Sequence, residues 1–276
     1  MTAREKTEIC KNLGFIGGGQ MAEALIKGML SKKILKPGQI TASDLTENRR
    51  NYLKRSFRIN TTAENREAVA GSDIIILAVK PHVISAVLEE IGPIVNSNHI
   101  IVSIAAGIII HSLEKRLPKG TKVVRVMPNT PVLVQAGAAA ICKGTAARQS
   151  DLDIVLQIFQ AVGKAVVIAE TLMDAVTGLS GSGPAYVFTF IEGLIDAGVR
   201  EGLTRTVAQE LVVQTVLGAA LMCQNTGKHP AELTAMVTSP GGTTVEGLHV
   251  MERAAMRGIL QDAVRAATER SRELGV

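Results

Sequence analysis

The chain has 276 residues, 46% of them hydrophobic and 20% charged. At roughly 150 residues per domain this length predicts about two domains, and the composition excludes a disordered chain. Five Phe, two Tyr and no Trp argue against a platform for stacking single-stranded nucleic acid. The net charge of +5 is uneven, because residues 1–172 carry 22 basic and 14 acidic side chains whereas residues 173–276 carry 8 and 11. The basic residues are scattered, which favours a small polyanion such as a dinucleotide over nucleic acid.

The cysteines and the N-terminus indicate the compartment. Cys10, Cys142 and Cys223 are too far apart for a disulfide framework, and no C-x-x-C motif occurs. The charged N-terminal segment leads directly into a strand pattern and predicts no signal peptide. The longest uncharged stretch, 91–110, contains proline, asparagine and histidine and does not indicate a membrane span. We therefore expect a cytoplasmic protein with no membrane association and no metal site.

The first half of the chain alternates short apolar runs with helical patterns. We predict strands at Leu13–Ile16, Ile40–Ser43, Asp73–Val79, Ile100–Ala105 and Lys122–Met127. We predict helices at Gln20–Ser31, Glu47–Phe57, Glu64–Ala70, His82–Ile91 and His111–Leu117. Strands alternating with helices imply right-handed βαβ units and a parallel sheet that helices cover on both faces.

Beyond Glu170 the strand patterns end, and long helices alternate with glycine-rich loops. The stretch Leu211–Met222 is apolar nearly all round, which predicts a helix buried on several sides. In a domain of about a hundred residues, such a helix points to an intertwined homodimer.

A glycine-rich turn follows the first strand. Gly17, Gly18, Gly19, Gln20, Met21 and Ala22 fit the pattern G-x-G-x-x-A between a strand and a helix. The glycines permit a tight turn and a close approach of the backbone to a pyrophosphate, and the helix N-terminus supplies unpaired N–H groups. The strand–turn–helix context predicts a dinucleotide site. We accordingly predict an α/β Rossmann-type parallel sheet domain at residues 1–172, followed by an all-α dimerisation domain at residues 173–276.

The choice between NADH and NADPH stays open from the sequence. Ser43 and Asp44 end the second strand, where an acidic side chain commonly binds the ribose hydroxyls and repels a 2′-phosphate. Arg49 and Arg50 follow within reach of a phosphate and favour the opposite choice. A solvated helix face is an equally good interpretation of the two arginines.

Three further strand ends carry small or polar residues, at the edge where open α/β sheets bind their ligands. They are Ala78-Val79-Lys80-Pro81, Ser103-Ile104-Ala105-Ala106-Gly107 and Met127-Pro128-Asn129-Thr130-Pro131. Small residues in the second of these would let a nicotinamide pack close to the backbone. Lys80 is as readily interpreted as an ordinary surface lysine.

Two loops stand out in the helical half. Gly178–Tyr186 places glycines and serines directly before a helix with Pro184 in its first turn, and Ser239–Thr244 opens another helix with two hydroxyls at its start. A helix N-terminus with N–H groups available is a good seat for a carboxylate. Each loop taken alone is better interpreted as a plain helix cap.

Together these motifs resemble pyrroline-5-carboxylate reductase, the enzyme of the last step of proline synthesis, over roughly residues 12–274. The resemblance rests on GGGQMA at 17–22, AVKPH at 78–82, SIAAG at 103–107, MPNTP at 127–131, DAVTGLSGSGPAY at 174–186 and SPGGTT at 239–244. It implies a Rossmann domain, a helical dimerisation domain and an active site shared between subunits. The implied reaction is the reduction of the cyclic imine (S)-1-pyrroline-5-carboxylate to L-proline by NADPH, with NADH as the open alternative. Relatives form dimers or rings of dimers.

The resemblance also implies the roles of individual residues. The implied cofactor contacts are Ile16, Gly17, Gly18, Gly19, Gln20, Met21, Ser43, Asn65, Asp44, Ala78, Val79, Lys80, Pro81 and Ala106. The implied substrate contacts are Ser180, Gly181, Ser182, Gly183, Thr243 and Thr244, the last two from the partner subunit. Thr244 is the implied catalytic residue, as hydrogen-bond partner and proton donor for the ring nitrogen. Imine reduction depends mostly on positioning and needs no strong base.

Two other functions remain as alternatives. Hydroxyacid dehydrogenases of similar architecture carry a catalytic lysine where this chain has Val187, and no lysine occurs between Lys164 and Lys228. A dinucleotide-binding regulatory dimer without turnover would have no need of a second small-molecule site. Two positions depart from the family pattern: Asp44 replaces a small hydroxyl residue near the 2′-phosphate, and Gly227 replaces an acidic residue near the proline site.

Overall fold

The computed structural model describes residue 9 and residues 11–275, so Cys10 lies outside the described residues. The chain divides into two compact units. One holds the residues up to Ser182 and those from Ala266 onward, and the other holds Gly183–Arg265. The domain boundary between residues 172 and 173 stays a prediction.

The first unit is built on one eight-stranded sheet. Its strands are β1 (Leu13–Ile16), β2 (Ile40–Ser43), β3 (Asn60–Thr62), β4 (Ile74–Leu77), β5 (Ile100–Ser103), β6 (Lys122–Pro128), β7 (Gly137–Lys143) and β8 (Gly163–Val167). The order is β3-β2-β1-β4-β5-β6-β7-β8. The first six strands follow the order 3-2-1-4-5-6 of a doubly wound nucleotide-binding sheet, which confirms the predicted fold class.

The central strands are buried on both faces. In β4, Ile74 and Ile76 join one hydrophobic cluster while Ile75 and Leu77 join another. Successive side chains of a strand point to opposite faces of the sheet, so a continuous apolar run is what two helical layers require. This burial fixes the register of the strand ends that carry the site.

One strand pair departs from the predicted parallel pairing. β6 runs antiparallel to β7, with Val126 opposite Ile141 and Pro128 opposite Ala139. The connection 129–136 is too short for a crossover between parallel strands, which takes about a dozen residues or more. β7 then pairs parallel with β8.

Seven helices belong to the first part of the chain. They are α1 (Gln20–Ser31), α2 (Glu47–Phe57), α3 (Asn65–Ala70), α4 (Ile84–Ile91), α5 (Ile110–Glu114), α6 (Gln149–Gln160) and α7 (Met173–Val176). The sequence analysis found the first five, with ends that differ by a few residues, and missed α6, β3, β7 and β8. The predicted strand Asp73–Val79 extends beyond β4 at both ends, so Ala78 and Val79 follow the strand.

The remaining helices are α8 (Gly183–Arg200), α9 (Arg205–Thr226), α10 (Pro230–Met236), α11 (Thr243–Arg253) and α12 (Met256–Leu274). The second unit is therefore helical, as predicted. Ala208 is the one residue of α9 that is buried in the single chain, and Leu211 and Leu217 are 56% and 50% exposed. The expected burial of this apolar helix is thus not supplied by its own chain. Among the described residues, α9 is also the one helix long and apolar enough to cross a membrane, by length and composition alone.

Candidate active site

The glycine turn after β1 is held by its neighbours on both sides. Gly17 has a φ of 93°, and a Cβ there would lie 2.7 Å from the carbonyl oxygen of Ala78. The Gly17 N–H donates to the carbonyl of Ser43 at 3.0 Å, and the Ala78 N–H donates to the carbonyl of Ile16 at 2.8 Å. Only glycine fits this positive φ and this close approach without strain. The turn is therefore positioned by the ends of β2 and β4.

The start of α1 is open to a ligand. Gly19 is the N-cap residue of α1, and a Cβ added at this position would have no atom within 4 Å. The first-turn N–H groups of a helix have no acceptor within the helix, and the helix dipole makes this end positive. Open space beside unpaired donors fits the pyrophosphate of a dinucleotide. Gln20 is exposed and Met21 half-buried at this opening.

Asp44, just after β2, lies against the glycine turn. Its Oδ2 accepts a hydrogen bond from the Gly18 N–H at 3.0 Å, and its Oδ1 accepts one from the Thr46 N–H at 2.8 Å. The side chain is half-buried. These two bonds fix the carboxylate at the position from which a ribose is bound in nucleotide-binding folds.

Ser43 and Asn65 form a short chain of hydrogen bonds beside Asp44. The buried Ser43 hydroxyl donates to Asn65 Oδ1 at 2.7 Å, and Asn65 Nδ2 donates to Glu90 Oε2 at 2.7 Å. Because a carboxylate can only accept, Glu90 fixes which way the Asn65 amide points. Glu90 has no feature in the sequence that distinguishes it from other helical glutamates, and the sequence analysis missed it.

Arg49 is folded back onto the glycine turn. Its Nε donates to the Gly18 carbonyl, its Nη2 pairs with Glu23, and its guanidinium lies 5.0 Å from the centre of the Tyr52 ring. Tyr52 also donates to Glu23 at 2.7 Å. Burial raises the pKa of Glu23, but the hydrogen bonds from Tyr52 and Arg49 outweigh it and hold the pKa below its usual value. Arg49 is therefore part of the architecture of the turn, which neither sequence interpretation anticipated.

The predicted cofactor residues meet at one edge of the sheet. Ile16 is in register with Ser43 on one side and with Leu77 on the other, and Leu77 is in register with Ser103. Ala78 and Val79 are half-buried at the end of β4, whereas Lys80, Pro81 and Ala106 are exposed. The structure thus brings the glycine turn, the end of β2 and the end of β4 together, and that these residues contact the cofactor stays a prediction.

The segment predicted as a loop before α8 is a π-helical turn. It spans Thr177–Gly181 and follows α7 without a break. The Ser182 N–H donates to the Thr177 carbonyl at 2.8 Å, so this donor is used within the turn. The prediction of a loop was wrong at this position, because the chain winds into a wider helix. Single π turns inside helices are frequently found at functional sites, a signal that sequence reasoning did not provide.

Asn129 connects the π turn to the sheet. Its Nδ2 donates to the carbonyl of Ser180 at 3.1 Å, and its Oδ1 accepts the Ala138 N–H at 2.8 Å. Gly181 lies against Met127, since a Cβ there would come within 2.7 Å of the methionine Cε. Asn129 belongs to the motif MPNTP, but the sequence predicted no role for its side chain.

An ion pair joins the buried Arg125 of β6 to the half-buried Glu170. Arg125 on β6 is 3% exposed and pairs with Glu170 at 3.1 Å. Glu170 Oε1 also accepts the Ile110 N–H at 2.7 Å. The pair fastens the segment that leads into α7 to the sheet. The sequence analysis named Glu170 as the end of the strand-containing half and missed this contact.

Thr243 and Thr244 begin α11, as predicted, with Gly242 as the N-cap residue. Thr243 is exposed and Thr244 is half-buried. A Cβ on Gly242 would collide with the Ser239 hydroxyl, which would have to rotate to make room for it. Within the described residues, no group of three or more His, Cys, Asp or Glu side chains could hold a metal ion.

Comparison with known families identifies two regions. Residues 170–274 match the model of the pyrroline-5-carboxylate reductase dimerisation domain. Residues 12–107 match the model described as NADP oxidoreductase, coenzyme F420-dependent. The first covers the helical part of the chain and the second covers the glycine turn and the strand ends around it.

Individual relatives match over nearly the whole chain. A pyrroline-5-carboxylate reductase of Methanosarcina acetivorans is 47% identical over 265 residues, covering 96% of this chain and 98% of the relative. The structure of a pyrroline-5-carboxylate reductase from Coxiella burnetii superposes with a TM-score of 0.92 at 35% identity, covering 96% and 99% of the two chains. The crystal structure of Plasmodium falciparum pyrroline carboxylate reductase with NADP bound gives 0.87 at 36% identity, covering 98% and 100%.

Proposed function

This chain belongs to the pyrroline-5-carboxylate reductase family, and we propose which of its residues carry out the reaction of that family. The enzyme reduces (S)-1-pyrroline-5-carboxylate to L-proline with NAD(P)H and self-associates through its dimerisation region. Neither a hydroxyacid dehydrogenase nor a regulatory dimer without turnover is favoured by any feature of the site.

The nucleotide-binding residues are those gathered at the edge of the sheet. The turn at Gly17–Gly19 and the start of α1 would hold the pyrophosphate. Ser43, Asp44 and Asn65 would bind the adenosine ribose. The exposed strand ends at Ala78–Pro81 and Ala106 would flank the nicotinamide, where small side chains leave room for a flat ring. When bound, the nicotinamide supplies the hydride that reduces the imine carbon.

The observation that carries this proposal is the bond from Asn129 to Ser180. This bond fastens the π turn to the end of β6. β6 pairs with β5, and Ala106 follows the end of β5. Ser180, Gly181, Ser182 and Gly183 would receive the substrate carboxylate there. As the family resemblance implies, Thr243 of the partner subunit would orient the same carboxylate from a helix N-terminus, where the helix dipole favours negative charge.

Thr244 is the proposed catalytic residue. Its hydroxyl would donate a hydrogen bond to the ring nitrogen and supply its proton directly or through a water molecule. A strong base is unnecessary, since the nitrogen of a C=N bond gains a proton as the carbon is reduced. We propose that Thr244 of the partner subunit completes each site, as the family resemblance implies.

The test compares Thr244→Ala and Thr244→Ser. Loss of a positioned proton donor costs about a hundredfold or more in rate, so the alanine variant should lose at least that much kcat while its Kd for the nucleotide stays unchanged. The serine variant keeps the hydroxyl and should retain most of the rate. Thr145→Ala, at an exposed threonine of the first unit, is the matched control. Full activity in Thr244→Ala would contradict the assignment.

The exposed side of α9 supports self-association. Leu211, Leu217 and Leu221 are each more than two-fifths exposed in the single chain, and apolar surface of this extent is stable in water only when a partner covers it. We propose a dimer, or a ring of dimers, in the cytoplasm. Light scattering of the purified protein gives the number of copies directly, and a monomer at micromolar concentration would contradict the proposal.

A further inference from the structure

We propose that this enzyme prefers NADH to NADPH and that Asp44 sets the preference. The inference rests on the proposed function only for the use of a nicotinamide nucleotide. It concerns the adenosine end of the site, which takes no part in the reaction.

The position and the fixation of Asp44 carry the inference. The carboxylate follows β2 and accepts the N–H groups of Gly18 and Thr46, at 3.0 and 2.8 Å, one on each oxygen. Each oxygen has two lone pairs and so keeps acceptor capacity for a ribose hydroxyl. A 2′-phosphate instead carries about two negative charges. It would lie against the Asp44 carboxylate, which its hydrogen bonds to two backbone N–H groups prevent from turning away.

The two neighbouring arginines are held by hydrogen bonds to the protein, which limits how far they can offset this repulsion. Arg49 donates to the carbonyls of Gly18 and Gly19 and is paired with Glu23. Arg50 donates through Nη1 to the carbonyls of Asp44 and Leu45, at 2.7 and 2.9 Å. Turning Arg49 toward a phosphate would leave Glu23 without its cation and the turn carbonyls without their donor.

Ser43 and Asn65, on the other side of Asp44, are also hydrogen-bonded within the protein. The Ser43 hydroxyl donates to Asn65 Oδ1 and lies 3.2 Å from the Phe15 carbonyl. Asn65 in turn donates to Glu90, which adds a second carboxylate to this end of the site. The Ser43 hydroxyl is fully buried and donates inward, so it cannot neutralise a phosphate. The surroundings of Asp44 therefore favour the uncharged 2′-hydroxyl of NADH.

The experiment measures the Kd of NADH and of NADPH in the absence of imine substrate. Nicotinamide fluorescence reports binding, and the absence of tryptophan from the chain leaves that signal clear. Like charges in contact are strongly unfavourable, so we expect NADH to bind at least about tenfold more tightly, and kcat/KM to show the same order. Asp44→Asn keeps the size of the side chain and removes its charge, and it should reduce the preference by about tenfold.

Two further variants make the test specific. Glu90→Gln removes the second carboxylate while keeping an acceptor for Asn65, and it should shift the ratio in the same direction by a smaller factor. Asp153→Asn, an exposed carboxylate on α6, should leave the ratio unchanged. Tighter binding of NADPH to the wild-type protein would overturn the proposed preference for NADH and leave the proposed function standing. Binding of neither nucleotide would overturn the proposed function together with it.

Discussion

Asn129 donates a hydrogen bond to the carbonyl of Ser180 at 3.1 Å while its Oδ1 accepts the N–H of Ala138 at 2.8 Å. One half-buried amide therefore joins the end of β6, the start of β7 and the π turn before α8. The π turn lies about fifty residues beyond the other two segments in the sequence, and it contains residues proposed to bind the substrate. Under the proposed assignment, Asn129 would act on the substrate through Ser180, as a positioning residue.

Replacing Asn129 should separate substrate positioning from nucleotide binding. Asn129→Ala leaves two polar backbone groups without partners, which costs about 1–3 kcal/mol of stability. Displacement of the π turn should raise the KM for the imine and lower kcat by about tenfold to a hundredfold, with the Kd for the nucleotide unchanged. Asn129→Asp keeps the acceptor for Ala138 but cannot donate to Ser180, so it should lose similar activity with less loss of stability. Unchanged steady-state constants in both variants would refute the positioning role.

The glycine turn offers a matched pair of substitutions. Gly17→Ala forces a side chain to a φ of 93° and into the Ala78 carbonyl, which should cost about 1–3 kcal/mol of stability. Gly19→Ala has a φ of −65° and nothing within 4 Å of the new methyl group. Its stability should stay within about 0.5 kcal/mol of wild type, whereas its Kd for the nucleotide should rise at least about tenfold, equivalent to about 1.4 kcal/mol.

Thermal unfolding and nucleotide titration of the two variants test both statements. Gly17→Ala should show reduced thermal stability. Gly19→Ala should keep its thermal stability and show only a weaker affinity for the nucleotide. Normal nucleotide affinity in Gly19→Ala would mean that the open face of the turn is not where the pyrophosphate binds.

The strands of the nucleotide-binding half could be predicted where burial on both faces of the sheet requires a continuous run of apolar residues. Continuous apolar runs such as Ile74–Leu77 can only be strands covered on both faces, and the glycine turn follows from its position after β1. The weak strand β7, Gly137–Lys143, begins Gly-Ala-Ala-Ala, and small residues give no clear strand signal. Its pairing depends on β6, which local pattern does not reveal.

The substrate side could not be predicted to the same level. The glycines and serines of Thr177–Gly181 indicate a loop by composition, yet the segment forms a π turn. Asn129 and Met127 contact it from the end of β6, and such long-range contacts override local propensity. The roles of Glu90 and Arg49 likewise depend on partners from other elements, so no local pattern could reveal them.

The ion pair between the buried Arg125 and the half-buried Glu170 should matter for stability. Glu170→Ala leaves a guanidinium that is 3% exposed without its partner and also removes the acceptor of the Ile110 N–H. Breaking such a pair costs about 3 kcal/mol or more. The exposed pair of Arg270 and Glu273 is the control, and Glu273→Ala should cost less than about 1 kcal/mol. Chemical denaturation at equal protein concentrations measures both, and equal losses would contradict the account.

His99 should make stability depend on pH in the acid range. It is buried, and its Nδ1 accepts the Asn96 N–H at 3.0 Å. Burial lowers its pKa below the ordinary value of 6.5, although the charge of Asp73 partly opposes this. The unfolded chain therefore binds this proton at higher pH than the folded chain does. The contribution of His99 is complete above pH 6.5 and is lost as the pH falls through the lower folded pKa.

The free energy of unfolding, measured from neutral pH downward, tests this. His99→Gln should remove a slope of at most about 1.4 kcal/mol per pH unit. His111→Gln, at an exposed histidine, should leave the slope as it is in wild type. An identical acid dependence in wild type and His99→Gln would show that other groups account for it.

The most direct test of the account is product formation by the wild-type protein. (S)-1-pyrroline-5-carboxylate is supplied with NADH or NADPH, nicotinamide absorbance follows oxidation, and mass spectrometry quantifies L-proline. The account predicts one proline for each nicotinamide oxidised, with no oxidation when the imine is left out. Nucleotide binding without imine-dependent oxidation would contradict it and would leave a dinucleotide-binding dimer that does not turn over.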